Sequence, residues 1–364
     1  MMRGVLAAAR RGIAYRTADA WDAAGRVTAT VFAARGTLLL GEPEVVEVEP
    51  MGKVAPGQIL SWVAGAEGGD AHPVARATLR AARQHGVAVD AIRSPHAMPG
   101  LGVTAVTSGG EALLVGSRAL MLEQRVSIAL AESRVAELEA LGRTVLLVSV
   151  AQRLVGWVAL QDGLRPGARA AVQHLLDVDV EPVLLTGESR ETCETLARSL
   201  DIDHVRPEVL PPDRAGEIRR IAEAGARVAV IGRPETDAGM LGAADVSVAL
   251  RAAGSSPNDW SISLAGDDAR DAALAVTIAH RTAREARVGL ALTIAPGIFA
   301  ALTVALGLLP PLFSPLAALA GGAVAILHAR AVDASKGEPS ATPWDLTLPS
   351  LLPKKPGRAP RPQE

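Results

Sequence analysis

Apolar residues in this chain gather into short continuous runs separated by longer mixed stretches. Val31-Phe32, Val145-Leu146-Leu147-Val148, Val183-Leu184-Leu185 and Val228-Ala229-Val230-Ile231 are such runs. Runs without alternation are the pattern of strands buried on both faces of a sheet. The spacing predicts strands over 29–32, 144–150, 154–159, 183–185 and 227–231, and helices over 168–176 and 191–200. Strands alternating with helices in this way build a doubly wound parallel α/β sheet.

Toward the C-terminus the pattern changes. Residues 288–310 hold no charged side chain, and about 22 helical residues reach roughly 33 Å, enough to cross a bilayer. A second uncharged run covers 311–329, and Leu309-Pro310-Pro311-Leu312 between them predicts a turn, because consecutive prolines break both helices. Arg281, Arg284 and Arg287 precede the first run, while Arg330 and Lys336 follow the second. This asymmetry places both ends of a membrane hairpin in the cytoplasm. The competing reading is a buried helical hairpin of a soluble protein. His328 is read as interfacial.

Composition narrows the class. The 364 residues suffice for two or three domains, and a net charge of −2 supplies no basic field for nucleic acid. Cys193 is the only cysteine, so no intrachain disulfide exists and a cytosolic body is expected; it reads as an ordinary small apolar residue. Met1 to Arg16 is basic and Ala-rich without a signal-peptide core.

The chemistry sits at the ends of the predicted strands. Ala33-Ala34-Arg35-Gly36-Thr37-Leu38 follows the first one, and Gly41-Glu42-Pro43-Glu44-Val45-Val46 comes soon after. Asp162-Gly163-Leu164-Arg165-Pro166, Thr186-Gly187-Glu188, Leu210-Pro211-Pro212-Asp213-Arg214 and Gly232-Arg233-Pro234-Glu235-Thr236-Asp237 follow in order. Together they resemble the motifs of P-type ATPases, and within that family the heavy-metal (copper-type) pumps. The family motif that accepts phosphate reads Asp-Lys-Thr-Gly-Thr-Leu-Thr, and its magnesium motif reads Gly-Asp-Gly-x-Asn-Asp.

The resemblance implies a haloacid-dehalogenase-like phosphorylation domain (29–49 and 144–275) with an inserted α+β nucleotide-binding domain (50–143). A lead-in helix (1–28), a linker helix (276–287), a transmembrane hairpin (288–332) and a disordered tail (333–364) complete the expected organisation. It also implies a bacterial inner-membrane location with cytoplasmic soluble domains. The resemblance sets in roughly where a pump's fourth membrane helix would end; the actuator domain, the first six membrane helices and the Cys-Pro-Cys-type metal site are expected to lack a counterpart, a pattern that a miscalled start, a split gene or real loss would each give.

At the catalytic positions the family pattern is broken. Ala33 stands where the phosphorylated Asp is expected, and Arg233 stands where a magnesium-binding Asp is expected. Thr186, Arg214, Asp237 and Asp162 are remnants, with Arg214 in place of a Lys. A methyl group cannot form an acyl phosphate, and a guanidinium repels the magnesium that phosphoryl transfer requires. Asp162 or Asp237 as a substitute nucleophile is the competing reading.

Nucleotide binding looks better kept. Glu67, followed by Asp70-Ala71-His72-Pro73, and Pro99-Gly100-Leu101-Gly102 resemble the family's adenine-contacting and Gly-rich motifs. Gly100 and Gly102 are expected to let backbone approach the ligand. ATP is therefore the expected cofactor and magnesium is not. Arg35, Arg214 and Arg233 are candidates for holding nucleotide phosphate by charge. In the hairpin, Gly297, Ile298, Gly321 and Gly322 occupy the positions of metal-ligating side chains and offer none. Gly321-Gly322 is read as a helix-packing element.

Three functions compete: a membrane-anchored pseudo-ATPase acting as a regulatory or scaffolding module, half of a split cation-transporting ATPase completed by a partner membrane protein, and a relic without activity. Ala33 and Arg233 favour the first.

Overall fold

A computed structural model describes residues 2–68, 72–252, 260–308 and 310–335. Asp70, Leu309 and the tail 336–364 lie outside the described residues, as does the side chain of His328. The chain divides into two compact units, Met1–Arg284 and Glu285–Glu364.

The first unit contains two sheets. One has seven strands: β1 (Ile13–Tyr15), β2 (Ala29–Ala33), β9 (Glu181–Leu185), β10 (His204–Arg206), β11 (Val228–Gly232), β12 (Val246–Ala249) and β13 (Ile262–Leu264). The other has six: β3 (Glu44–Pro50), β4 (Arg93–Met98), β5 (Gly102–Val106), β6 (Ala112–Gly116), β7 (Thr144–Val150) and β8 (Arg153–Gln161).

The larger sheet runs in the order β1-β13-β12-β11-β2-β9-β10. It is parallel throughout except for β1, which pairs antiparallel with β13. Strands β2 and β11 are buried at every position. Their side chains feed two apolar clusters on opposite faces, with Phe32 and Ile231 in one and Val31 and Val230 in the other. Burial on both faces is why these strands read as unbroken apolar runs.

The smaller sheet is antiparallel, in the order β3-β8-β7-β6-β5-β4. Helices Pro56–Glu67 and Pro73–Gln84 cover one face through Ile59, Val63, Val74 and Ala77. Helix Glu132–Ala140 covers the other through Val135 and Leu138.

Two expectations need correction. Strands 144–150 and 154–159, assigned to the phosphorylation sheet, form β7 and β8 at the heart of the six-stranded sheet, and β3 joins them. The insertion therefore runs from β3 to β8, longer than 50–143. An apolar run declares a buried strand but not its partner, which is fixed by non-local pairing. Likewise, 1–28 is not one lead-in helix. It is broken at Gly12 (φ +72°), forms β1, and restarts as helix Ala18–Ala24, where the Thr17 hydroxyl accepts from the Ala20 amide.

Helix Ala269–Ala305 begins in the first unit, where Ala272, Ala273 and Val276 are fully buried. The expected linker helix and first apolar run are thus one continuous element, long and apolar enough to cross a membrane. In the second unit, helix Phe313–Ser335 packs back on it. A Cβ built on Gly321 would lie 2.8 Å from the Leu292 carbonyl and 2.9 Å from that of Thr293, whereas one on Gly322 would meet nothing within 4 Å. Close backbone approach is therefore what Gly321 supplies. Ile298, Phe299, Leu302, Leu316 and Leu319 remain exposed on the two helices.

Candidate functional site

Because β9, β2 and β11 are parallel neighbours, their C-terminal ends open on one edge of the sheet. Such an edge is where open α/β sheets place ligands. Ala33 ends β2 opposite Leu185, Thr186 follows β9, and Arg233 follows β11. The sequence-predicted positions 33, 186 and 233 thus meet in space, with Arg214 and Asp237 beside them.

Asp237 is buried, and each of its oxygens faces a donor. Oδ2 accepts from the Arg233 amide at 3.0 Å and from the Thr236 hydroxyl at 3.0 Å, while Oδ1 faces Arg214 Nη1 at 3.5 Å. Burial raises the Asp237 carboxyl above its ordinary value, against the lowering effect of these partners. The Arg233 side chain lies over the turn after β2: a Cβ on Gly36 (φ +80°) would be 2.9 Å from its Nε. Only a glycine accepts both that backbone conformation and that guanidinium.

Magnesium does not fit this donor set. One carboxylate already held by three donors, a methyl group and a guanidinium cannot supply the hard oxygens that the ion demands. Among the described residues no three His, Cys, Asp or Glu side chains converge to hold a metal.

Asp162 has a structural task. Its two oxygens accept the Gly41 amide at 3.1 and 3.2 Å, and burial raises its carboxyl above the ordinary value although the charge of Arg35 opposes this. Nearby, Leu40 N donates to Gly163 O and Arg165 N to Leu38 O. The two chain segments joining the sheets are stitched together here. Asp162 is therefore oriented toward the turn.

Two groups were not legible from the motifs. Arg35 Nη2 donates to Glu188 Oε1 at 2.6 Å and to the Thr144 hydroxyl at 3.0 Å, and that hydroxyl donates to Glu188 Oε2 at 2.9 Å. Asp267, after β13, receives Arg165, Arg233 and Arg251. Its only signal was an Asp-Asp pair following a short strand.

Thr186 is buried, and its hydroxyl accepts the Glu188 amide at 3.2 Å. Arg214 is mostly buried, which lowers its guanidinium pKa without removing its charge at neutral pH.

The expected nucleotide residues lie in the smaller sheet's layer. Glu67 ends helix Pro56–Glu67 and is buried; His72 caps helix Pro73–Gln84, its Nδ1 accepting from the Val74 amide at 3.4 Å. Gly100 (φ +80°) sits in the β4–β5 turn, where an added Cβ would be 2.7 Å from Pro211 and 2.8 Å from Leu210. The glycine turn of one sheet thus touches the segment that carries Arg214 in the other. Gly102 (φ +142°) faces Gly116, with Val115 O 2.1 Å from a built Cβ. Its glycine is required by strand-to-strand approach.

Residues 31–245 match the family described as haloacid dehalogenase-like hydrolase. The chain belongs to that family. Within it, the chain carries the catalytic region of the heavy-metal P-type ATPases. It is 31% identical over 250 residues to the copper-exporting P-type ATPase of Bacillus subtilis (strain 168), covering 69% of this chain and 31% of that protein. It is 33% identical over 265 residues to the zinc-exporting P-type ATPase of Mycobacterium marinum, covering 71% of this chain and 36% of the relative. The solved structure of a zinc-transporting PIB-type ATPase in the E2.Pi state superposes with a TM-score of 0.54 at 27% identity, covering 90% of this chain and 53% of that one. The chain thus spans about a third of the length of these curated relatives and about half of that structure.

Proposed function

We propose that this chain is a membrane-anchored pseudo-ATPase: it keeps the phosphorylation-domain fold, binds ATP in its inserted domain, and does not form an acyl phosphate. The observation that carries the reading is Ala33 at the end of β2, where in-line transfer needs a carboxylate nucleophile. Two further features support it. Arg233 lies over Gly36, and Asp237 is occupied by internal donors. Charge neutralisation by magnesium and a nucleophile are the two requirements of phosphoryl transfer, and the residues present serve neither.

A protein of this kind acts by binding. Nucleotide in the smaller-sheet domain, at Glu67, His72 and the Gly100 turn, biases how that domain rests on Leu210-Pro211, and the membrane helix Ala269–Ala305 carries the outcome to a partner. The test is ATP calorimetry on the full chain with a His72→Ala control, beside a radiolabelled phosphoenzyme assay. Binding without label is expected. An acid-stable label overturns the reading.

The exposed apolar side chains of the C-terminal helices favour a second reading, a split transporter completed by another membrane chain. Ala33 weighs against it, since the acyl phosphate forms in this half.

A further inference from the structure

The arginines at the strand ends outnumber the charges that hold them. Asp267 Oδ2 faces Arg165 Nη1 at 3.0 Å, Arg233 Nη2 at 3.6 Å and Arg251 Nη2 at 2.6 Å. One carboxylate cannot neutralise three guanidinium groups. Arg214 meets Asp237 only at 3.5 Å, longer than a strong charge-assisted bond. Among the described residues, the Nε atoms of Arg35, Arg165, Arg214 and Arg233 are buried and have no hydrogen-bond acceptor. The Arg165 side chain is only 10% exposed. Buried donors demand acceptors, and like charges held together demand a counter-charge.

We propose that this cluster is a metal-independent oxyanion site, in which Arg214 and Arg233, backed by Arg165, hold a phosphate group directly. It rests on the reading that phosphoryl transfer is not run here. A tetrahedral oxyanion brings both missing quantities, negative charge and several acceptor oxygens, and guanidinium groups match it with paired N–H donors. The position is also favourable: the C-terminal edge of β2, β9 and β11 is open to ligands by topology. Where the family's chemistry uses a cation to bridge protein carboxylates and phosphate, this chain places the cations on its own side chains. The occupant is free phosphate or the terminal phosphate of a nucleotide.

The test titrates inorganic phosphate into the full chain in detergent with EDTA, read by calorimetry and by thermal shift against chloride at matched ionic strength. Saturable binding in EDTA is expected, weakened about tenfold by Arg233→Gln and by Arg214→Gln, a loss on the order of one charged hydrogen bond. Asp267→Asn removes the competing carboxylate and is expected to tighten phosphate binding. A merely damaged fold does not produce that direction, so this variant keeps the test decisive if the arginine variants unfold. Competition by ATP supports the nucleotide's phosphate as occupant; independent binding of both supports free phosphate. Absence of saturable binding in EDTA, a strict magnesium requirement, or affinity unchanged in all three variants overturns the proposal. Because no nucleotide is needed in the primary titration, its failure is distinct from failure of ATP binding or the appearance of a phosphoenzyme.

Discussion

Arg35 and Glu188 meet at 2.6 Å, and both stand at positions where the family motifs carry other residues. In those motifs the residue before Gly-Thr is a Thr, and the residue after Thr-Gly is an Asp. Here the two departures face each other and share the hydroxyl of Thr144, the first residue of β7. The pair therefore ties the end of β2, the end of β9 and the smaller sheet at one point.

Arg35→Ala leaves Glu188, only 15% exposed at its side chain, without its cation. Unfolding by urea is expected to show a loss of about 1–3 kcal/mol. Arg35→Ala with Glu188→Gln recovers part of that loss, since the stranded charge is gone. Equal losses in the single and double variants contradict a coupled pair.

Ala33→Asp alone remains unlabelled by radioactive ATP with magnesium, because Arg233 still covers Gly36 and repels the cation. Adding Arg233→Asp raises the label above that of the single variant. Strong labelling of Ala33→Asp by itself shows that Arg233 is not the second block.

Gly102→Ala is expected to cost about 3–5 kcal/mol, because its Cβ collides with the backbone of β6. Gly86→Ala is the control: φ is +65° but no atom lies within 4 Å of the built Cβ. There only the left-handed conformation is penalised, at about 1–2 kcal/mol. Chemical denaturation of both variants checks the contrast.

Burial pushes the Cys193 thiol up to about 12, and its side chain is fully buried. The thiol therefore stays protonated and unreactive toward disulfide reagents at pH 8 until the chain unfolds. The linkage has a definite sign. The unfolded thiol ionises at about 8.5–9, so above that pH the folded state binds more protons than the unfolded one. The thiol's contribution to stability is fully present below about 9 and is lost as pH rises through the window to about 12. Cys193→Ala flattens that alkaline limb; an unchanged limb refutes the assignment.

In the second unit, the built Cβ of Gly297 lies 3.5 Å from the Ala318 Cβ, a separation compatible with a disulfide. Gly297→Cys with Ala318→Cys, in a Cys193→Ser background, is expected to crosslink within one chain under mild oxidation. Gly321→Ile suppresses the crosslink and Gly322→Ile does not, as gel mobility under non-reducing conditions records.

The order of elements was legible because it is written in local patterns. Helix Ala168–Leu176 appears with the predicted bounds, and the strand Thr144–Val150 likewise, since apolar period and Gly-Pro punctuation are properties of adjacent residues. The family was legible for the same reason, since its motifs, with Ala33 and Arg233 at two of their Asp positions, are stretches of adjacent residues. That Thr144–Val150 pairs with β6 and β8 and not with β2 was not legible, because an apolar run buried on both faces suits either sheet.

What the sequence alone determined is which side chains exist at the strand ends, with Ala33 and Arg233 standing where the family motifs carry Asp. What only the tertiary structure decided is how the replacements are satisfied. Arg35 with Glu188, Arg214 with Asp237, and Asp267 with Arg165, Arg233 and Arg251 join residues that are 16 to 153 positions apart. Pairings over such separations depend on which strands lie side by side, and no local pattern encodes that.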